Sequence, residues 1–141
     1  MTLSLGQRAI VVDASVAIPF LRGDQPWVER WDQWVRGRDL LLAPPHFFPE
    51  VANGLLRGTS IRSRAHVVTL LRKLFDSNVE MASRGLIGLE DSVDLADRYR
   101  LSVYDAGYLS LALDVDGELA TLDRALTAAA TAEGVPVIPP E

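Results

Sequence analysis

The sequence predicts an α/β domain in which a parallel sheet is covered by helices on both faces. Short apolar runs alternate along the chain with segments of helical periodicity. Parallel strands need crossover connections, and the intervening helical segments supply them. A length of 141 residues with 48% hydrophobic content matches one domain with one continuous core. We therefore expect a single domain over residues 1–141.

Five short apolar segments are predicted to be strands. Ala9–Val12 contains β-branched residues and ends at Asp13, which is typical of a buried strand that leads into a helix. Leu40–Ala43 is a similar run that two prolines stop. The other three predicted strands cover residues 79–82, 118–122 and 135–138.

Seven helices are predicted between and after these strands. The first follows Asp13, and the second starts around Pro26 with Glu29 in its first turn, where the helix dipole favours an acid. Ser102 stands three residues before Asp105, in the order of a capping box. Beyond the first, the predicted helices cover residues 26–36, 47–57, 61–75, 89–99, 103–113 and 124–132.

Four acidic residues fall at one predicted edge of the sheet. Asp13 and Asp123 follow the first and fourth strands, and Glu50 and Asp105 lie in the opening turns of two helices. Ligand sites of open parallel sheets lie beyond the carboxyl ends of the strands, which is this edge. Crowded carboxylates repel each other or take up protons unless a cation is present, and oxygen ligands match Mg²⁺ and Mn²⁺. We call Asp13, Glu50, Asp105 and Asp123 the four acids.

Each acid taken alone has a structural explanation, because Asp is a common helix cap and acids are favoured in a first turn. Apolar neighbours such as Val12 and Val51 favour partial burial and hence a functional role. The chain has no Cys, and its only His residues are His46 and His66, so a zinc site is not expected. A structural or surface role is predicted for both histidines.

Four stretches of the sequence, in order and spacing, resemble the acidic motifs of PIN domains, and most of all those of VapC toxins from bacterial toxin–antitoxin pairs. They are VVDAS at 11–15, PEVANGL at 49–55, YDAGYLSLA at 104–112 and ATLDRAL at 120–126. The resemblance extends from about residue 10 to residue 137. Some relatives carry a further acid after the fourth motif, where this chain has Arg124 and Ala125.

The resemblance implies a three-layer α/β/α sandwich with strand order 3-2-1-4-5. It also implies an endoribonuclease that uses Mg²⁺ or Mn²⁺, forms a homodimer and is inhibited by a cognate VapB-like antitoxin. The four acids would then be metal ligands or water-positioning groups, with Thr121 as the hydroxyl beside them and Ser15 as a lesser candidate. The general base would be Asp105 or Glu50, and the choice stays open.

Two other classes of function remain as alternatives. One is a PIN fold without turnover that acts as a binding module, against which the complete set of acids argues. The other is an acidic-pocket phosphatase or a receiver-like domain. A phosphatase of that kind would need a second Asp two places after Asp13, where this chain has Ser15.

The net charge of −5 does not exclude an RNA partner. Once the four acids are set aside, 15 acidic and 14 basic residues remain, so local patches decide what binds. One such patch is predicted between residues 57 and 73, with a solvated helix face as an equal alternative; its members are Arg57, Arg62, Arg64, Arg72 and Lys73.

Three tryptophans share one face of a predicted helix. Trp27, Trp31 and Trp34 form one stripe of the second helix, predicted to face the core, with an exposed groove for a protein partner as the alternative.

No apolar run approaches the roughly 20 residues that span a membrane, and no secretion signal is recognisable at the start. We therefore expect a cytoplasmic protein.

Overall fold

The computed structural model describes residues 7–58 and 63–138 of the chain. The described residues form five strands and seven helices in the predicted alternation. The strands are β1 Ala9–Val12, β2 Leu40–Ala43, β3 Val79–Met81, β4 Glu118–Ala120 and β5 Val137–Ile138. The helices are α1 Ala14–Arg22, α2 Trp27–Arg36, α3 Phe47–Arg57, α4 Arg64–Phe75, α5 Gly85–Tyr99, α6 Val103–Asp114 and α7 Arg124–Ala132.

All five strands are parallel, and they lie in the order β3-β2-β1-β4-β5. Ile10 pairs with Leu41 on one side of β1 and with Glu118 on the other, so β1 is the central strand. Helix α1 contacts α2, α3 and α4, and α6 contacts both α5 and α7, which gives the three-layer α/β/α arrangement. The predicted fold class and strand order are confirmed.

The central strands are apolar along their whole length because both of their faces are buried. Ile10, Val11 and Val12 are fully buried in β1, as are the corresponding residues of β2. From β1 the chain continues to β2 on one side and then to β3, whereas β4 and β5 lie on the other side of β1. The direction in which strands are added therefore reverses between β1 and β4. This switch point brings the carboxyl ends of β1 and β4 together, and it is where ligands bind in open parallel sheets.

The tryptophan stripe faces the core, as predicted. Trp27, Trp31 and Trp34 are all buried, so the alternative of an exposed aromatic groove was wrong. The Trp31 ring stacks on Phe20 of α1 with 4.1 Å between ring centroids and 7° between planes. Its indole Nε1 donates a hydrogen bond to the Ser77 carbonyl at 3.2 Å. The stripe thus packs α2 against α1, the helix that follows the central strand.

Some predicted boundaries were wrong. Helix α5 begins at Gly85 rather than at residue 89, because its first turn carries the exposed Leu86 and Ile87, which do not follow a core-facing period. Strand β4 ends at Ala120, two residues before the predicted end, because side-chain hydroxyls accept the next backbone N–H groups. Strand β3 ends one residue early, and β5 begins only at Val137. The predicted start of α4, at residues 61 and 62, lies outside the described residues.

Helices α3 and α4 carry four of the five basic residues that the sequence singled out. Arg57, Arg64, Arg72 and Lys73 are exposed, and Arg62 lies outside the described residues. The Lys73 ammonium lies 5.0 Å from the centroid of the Phe20 ring. A phosphate-binding role of this surface stays a prediction. None of the described helices is long and apolar enough to cross a membrane.

Candidate functional site

Asp13 stands at the carboxyl end of the central strand and caps the next helix. Its backbone N–H still donates to the Ala120 carbonyl at 3.2 Å, and its side chain accepts a hydrogen bond from the Ser15 N–H at 3.0 Å. A side-chain acceptor at this position satisfies one of the free N–H groups of the first helical turn. The local sequence therefore fixes Asp13 at the switch point of the sheet.

Two hydroxyl groups complete the surroundings of the Asp13 carboxylate. Ser15 Oγ donates to one carboxylate oxygen, and Thr121 Oγ1 donates to the other. With the Ser15 N–H, three donors of the protein bind the two oxygens. No ion pair between described residues involves Asp13, and only 5% of its surface is exposed. The carboxylate is therefore buried and hydrogen-bonded, yet no cationic side chain of the described residues compensates its charge.

The same two hydroxyls also order the chain after β4. Ser15 Oγ accepts the Leu122 N–H at 2.8 Å, and Thr121 Oγ1 accepts the Asp123 N–H at 3.0 Å. These bonds replace the strand ladder, which explains why β4 ends at Ala120. Asp123 then caps α7 by accepting the Leu126 N–H at 2.9 Å. Asp123 thus lies three residues beyond the strand rather than directly after it, and Thr121 bonds both to its N–H and to the Asp13 carboxylate.

Glu50 and Asp105 lie in the first turns of α3 and α6, as predicted. The phenol of Tyr108 donates to Glu50 Oε1 at 2.5 Å and joins the two helices. Asp105 donates its N–H to Ser102 Oγ at 3.0 Å, which confirms that Ser102 caps α6. The side chains of Glu50, Asp105 and Asp123 are partly exposed, whereas Asp13 is buried.

Electrostatic effects connect three of the four acids. Burial, as the largest cause, raises the pKa of the Asp13 carboxyl to about 6; the hydrogen bonds from Ser15 and Thr121 oppose this, and the charge of Glu50 adds to it. Burial, the hydrogen bond to Glu50 and the charges of Glu50, Asp13 and Asp105 raise the pKa of the Tyr108 phenol. Tyr108 therefore stays protonated and can act only as a donor toward Glu50.

The surroundings of Asp13 fit a divalent cation. A cation beside this buried carboxylate would offset the cost of desolvating its charge, and the available donors are the oxygens that Mg²⁺ and Mn²⁺ prefer. Within residues 7–58 and 63–138, no three Asp, Glu or His side chains are close enough to bind an ion together. Mg²⁺ usually keeps several water ligands and takes one or two carboxylates directly, so a preformed cluster of four is not required.

We expect the Asp13 charge to destabilise the folded chain at neutral pH when no metal is present. The pKa of about 6 exceeds the ordinary 3.8, so the folded chain binds more protons than the unfolded chain between these values. Stability therefore falls as the pH rises through this interval, by on the order of 2–3 kcal/mol. In urea unfolding with EDTA, the stability of Asp13→Asn relative to the wild-type chain should rise from pH 4 to about pH 7 and then stay constant. A difference that does not change with pH would contradict the raised pKa.

His46 has a structural role, as predicted. Its Nε2 lies 2.8 Å from the Tyr104 carbonyl, which can only accept, so Nε2 carries the proton. The ring packs edge-on against Tyr104 and Tyr108. A Cβ at Gly107 would lie 2.9 Å from His46 Cε1, which explains the glycine at this position. His66 is exposed on α4.

Sequence reasoning did not predict the hydrogen bonds that Tyr108 and Ser15 donate to two of the acids. Tyr108 lies three residues after Asp105, on the same face of α6, and this spacing was the available signal. Ser15 lies two residues after Asp13, where a hydroxyl reaches back to the carboxylate in a local turn. Each of the two hydroxyl groups donates a hydrogen bond to a carboxylate.

Comparison with solved structures identifies similar folds. PAE2754 from Pyrobaculum aerophilum is 24% identical, with a TM-score of 0.68 over 92% of this chain and 83% of that chain. VapC20 from Mycobacterium tuberculosis, a toxin that cleaves the sarcin–ricin loop, is 17% identical, with a TM-score of 0.67 over 85% of this chain and 94% of that chain. A chain of a toxin–antitoxin complex from Klebsiella pneumoniae is 22% identical, with a TM-score of 0.66 over 94% of this chain and 98% of that chain.

Comparison of sequences identifies the family. No curated protein sequence matches the chain. The family profile described as PIN domain matches residues 10–132, which include the four acids, Ser15 and Thr121. The resemblance inferred from the four motifs is confirmed over most of the chain, and the chain belongs to the PIN domain family.

Proposed function

We propose that this protein is a metal-dependent endoribonuclease, the toxin of a toxin–antitoxin pair, which hydrolyses RNA phosphodiester bonds. The observation that carries the proposal is the buried Asp13 carboxylate at the β1–β4 switch point, which forms no ion pair with any described side chain. The other three acids stand in the remaining PIN motifs of the chain. VapC20, which has a similar fold, is a toxin that cleaves the sarcin–ricin loop.

The proposed cofactor is Mg²⁺ or Mn²⁺. When bound, such an ion activates water and stabilises negative charge on the phosphoryl group in the transition state. Asp13 would bind it, with Thr121 and Ser15 holding both carboxylate oxygens in place. Asp123, Glu50 and Asp105 complete the proposed ligand set, either directly or through water.

The remaining steps are proton transfer and substrate binding. Glu50 or Asp105 would accept the proton of the attacking water, since both carboxylates are partly exposed. Attack by water would leave a 5'-phosphate and a 3'-hydroxyl and would not use the ribose 2'-hydroxyl. The preference for RNA must then come from contacts with its shape and backbone, for which the exposed Arg57, Arg64 and Arg72 are candidates.

Two protein partners belong to the proposal, a VapB-like antitoxin and a second copy of the chain. One of the similar structures is a toxin–antitoxin complex. Helix α5 also exposes an apolar row at Leu86, Leu89 and Val93, and contiguous exposed apolar surface is typical of protein interfaces. A cytoplasmic location follows from the proposed RNA substrate.

RNA cleavage by the purified full chain tests the proposal. We expect cleavage of single-stranded RNA with Mg²⁺ or Mn²⁺, none with excess EDTA, and recovery when the metal is restored. Asp105→Asn should be strongly impaired, while Asp97→Asn, which neutralises an exposed acid of α5 away from the proposed ligands, should cleave like the wild-type chain. Cleavage that persists in EDTA would contradict the metal mechanism. A chain that binds RNA and metal without cutting would instead support the binding-module alternative.

A further inference from the structure

A hydrogen bond between two helices involves the Glu50 carboxylate. Tyr108 of α6 donates to Glu50 Oε1 at 2.5 Å, and the two residues are 58 positions apart in the sequence. The Tyr108 side chain is completely buried. Glu50 Oε2 has neither a hydrogen-bond nor an ion-pair partner among the described residues. One oxygen of this carboxylate is therefore held by the protein, and the other is free.

Ring contacts and a further hydrogen bond join the same two helices beside Tyr108. The His46 ring lies against Tyr108 with 5.0 Å between centroids, one turn before Glu50 on α3. His46 also binds the Tyr104 carbonyl at 2.8 Å, one turn before Tyr108 on α6. Gly107 packs so closely against the His46 ring that a Cβ at this position would meet the ring. The first turns of α3 and α6, which carry Glu50 and Asp105, are thus fixed relative to each other.

A second tyrosine–glutamate pair shows what is particular about Glu50. Tyr99 donates to Glu133 at the ends of α5 and α7, but there Arg98 also binds the Glu133 carboxylate at 2.9 Å. The charge of Glu133 is compensated, whereas no cationic side chain pairs with Glu50 among the described residues. A buried tyrosine hydroxyl needs only some acceptor. At Glu50 that acceptor is an uncompensated carboxylate whose charge acts on the buried Asp13.

We propose that Tyr108 is a positioning residue for the divalent-cation site. By holding Oε1 it fixes the rotation of the Glu50 carboxylate and leaves Oε2 as the oxygen that contacts the cation or one of its waters. This inference rests on the proposed function, because it assumes that a divalent cation binds beside Asp13. Carboxylates at metal sites are commonly oriented by such outer hydrogen bonds, and loss of one typically weakens metal binding about 10–100-fold.

Mn²⁺ binding to the full-length chain tests this role without any assay of cleavage. Free Mn²⁺ is measured by electron paramagnetic resonance during titration of the wild-type, Tyr108→Phe, Tyr99→Phe and Asp13→Asn chains. We expect about tenfold weaker binding in Tyr108→Phe, wild-type binding in Tyr99→Phe and loss of binding in Asp13→Asn. Tyr99→Phe is a matched control because it also removes one tyrosine–glutamate hydrogen bond.

The outcomes separate this inference from the proposed function. A wild-type chain that binds no Mn²⁺ would overturn both. Binding that Asp13→Asn abolishes but Tyr108→Phe leaves unchanged would overturn the role of Tyr108 alone. Equal weakening in both tyrosine variants would also overturn it, because the effect would then be a general loss of packing.

Fluorine NMR of the chain labelled with 3-fluorotyrosine gives a second readout, which does not require Tyr108→Phe to fold. The chain has three tyrosines, so Tyr99→Phe and Tyr104→Phe assign the Tyr108 signal by elimination. The Tyr108 signal should shift on addition of Mg²⁺ and saturate with binding, while the Tyr99 signal should stay in place. A Tyr108 signal that does not respond to Mg²⁺ would overturn the inference.

Discussion

Asp13→Asn is expected to lower the rate of RNA cleavage by at least about a thousandfold. The ion that Asp13 is proposed to bind contributes several kcal/mol of charge stabilisation in the transition state, and each 1.4 kcal/mol corresponds to about a factor of ten in rate. The amide can still cap α1, because its oxygen can accept the Ser15 N–H. The variant therefore changes the charge at the switch point and retains the cap.

The measurement is single-turnover cleavage of one RNA substrate at saturating Mg²⁺, with Asp97→Asn as the charge-matched control. The metal-free Asp13→Asn chain should also be at least as stable as the wild-type chain at pH 7, since the buried charge is gone. Loss of activity together with unchanged or increased stability would locate the defect in the site. A variant that cleaves within tenfold of the wild-type rate would show that Asp13 does not bind an essential metal.

Much of the fold was predictable because burial on both faces leaves a simple sequence signal. The bounds of β1 and β2 were predicted correctly from continuous apolar runs, and those of α3 and α7 from periodicity and flanking residues. The end of β4 was not predicted correctly, because the backbone N–H groups of Leu122 and Asp123 donate to the Ser15 and Thr121 hydroxyls instead of to a neighbouring strand. The bond between Ser15 and Leu122 joins residues more than a hundred positions apart, and local propensity carries no information about it.

The places of the four acids in the fold were predictable, whereas the hydrogen bonds around them were not. Asp13 could be placed from the strand that precedes it, and the four motifs implied the other acids. The bond from Tyr108 to Glu50 depends on how α6 packs against α3, which the sequence alone does not specify. In the sequence, Tyr108 is one of several large side chains on an apolar helix, and packing accounts for most residues of that kind.

The second large effect is expected in the core rather than at the site. Trp31→Ala should lower the free energy of unfolding by about 3–5 kcal/mol, the usual cost of truncating a buried aromatic residue. Trp31 is only 2% exposed and stacks on Phe20, so its removal leaves a cavity between α1 and α2. For a chain of this size the melting temperature should fall by roughly 10–20 °C. Thermal and urea unfolding at fixed pH with EDTA measure the change.

Trp31→Phe separates the contribution of ring volume from that of the indole hydrogen bond. It keeps an aromatic ring against Phe20 but loses the bond from Nε1 to the Ser77 carbonyl, so the loss should be clearly smaller than in Trp31→Ala. A melting temperature within about 3 °C of wild type for Trp31→Ala would contradict a close-packed α1–α2 interface.

Trp31→Ala should also differ from Asp13→Asn in what it leaves intact. Helix α1 begins next to Asp13 and contacts α2 through Phe20, but the hydrogen bonds that hold the Asp13 carboxylate come from Ser15 and Thr121. Well below its melting temperature, the folded fraction of Trp31→Ala should therefore bind Mn²⁺ and cleave RNA at close to wild-type rates. Trp31→Ala would then be less stable but would cleave RNA at close to the wild-type rate, whereas Asp13→Asn would be as stable as the wild-type chain but would cleave RNA far more slowly. A cold, folded Trp31→Ala chain with impaired Mn²⁺ binding would instead mean that packing of α2 against α1 sets the position of Asp13.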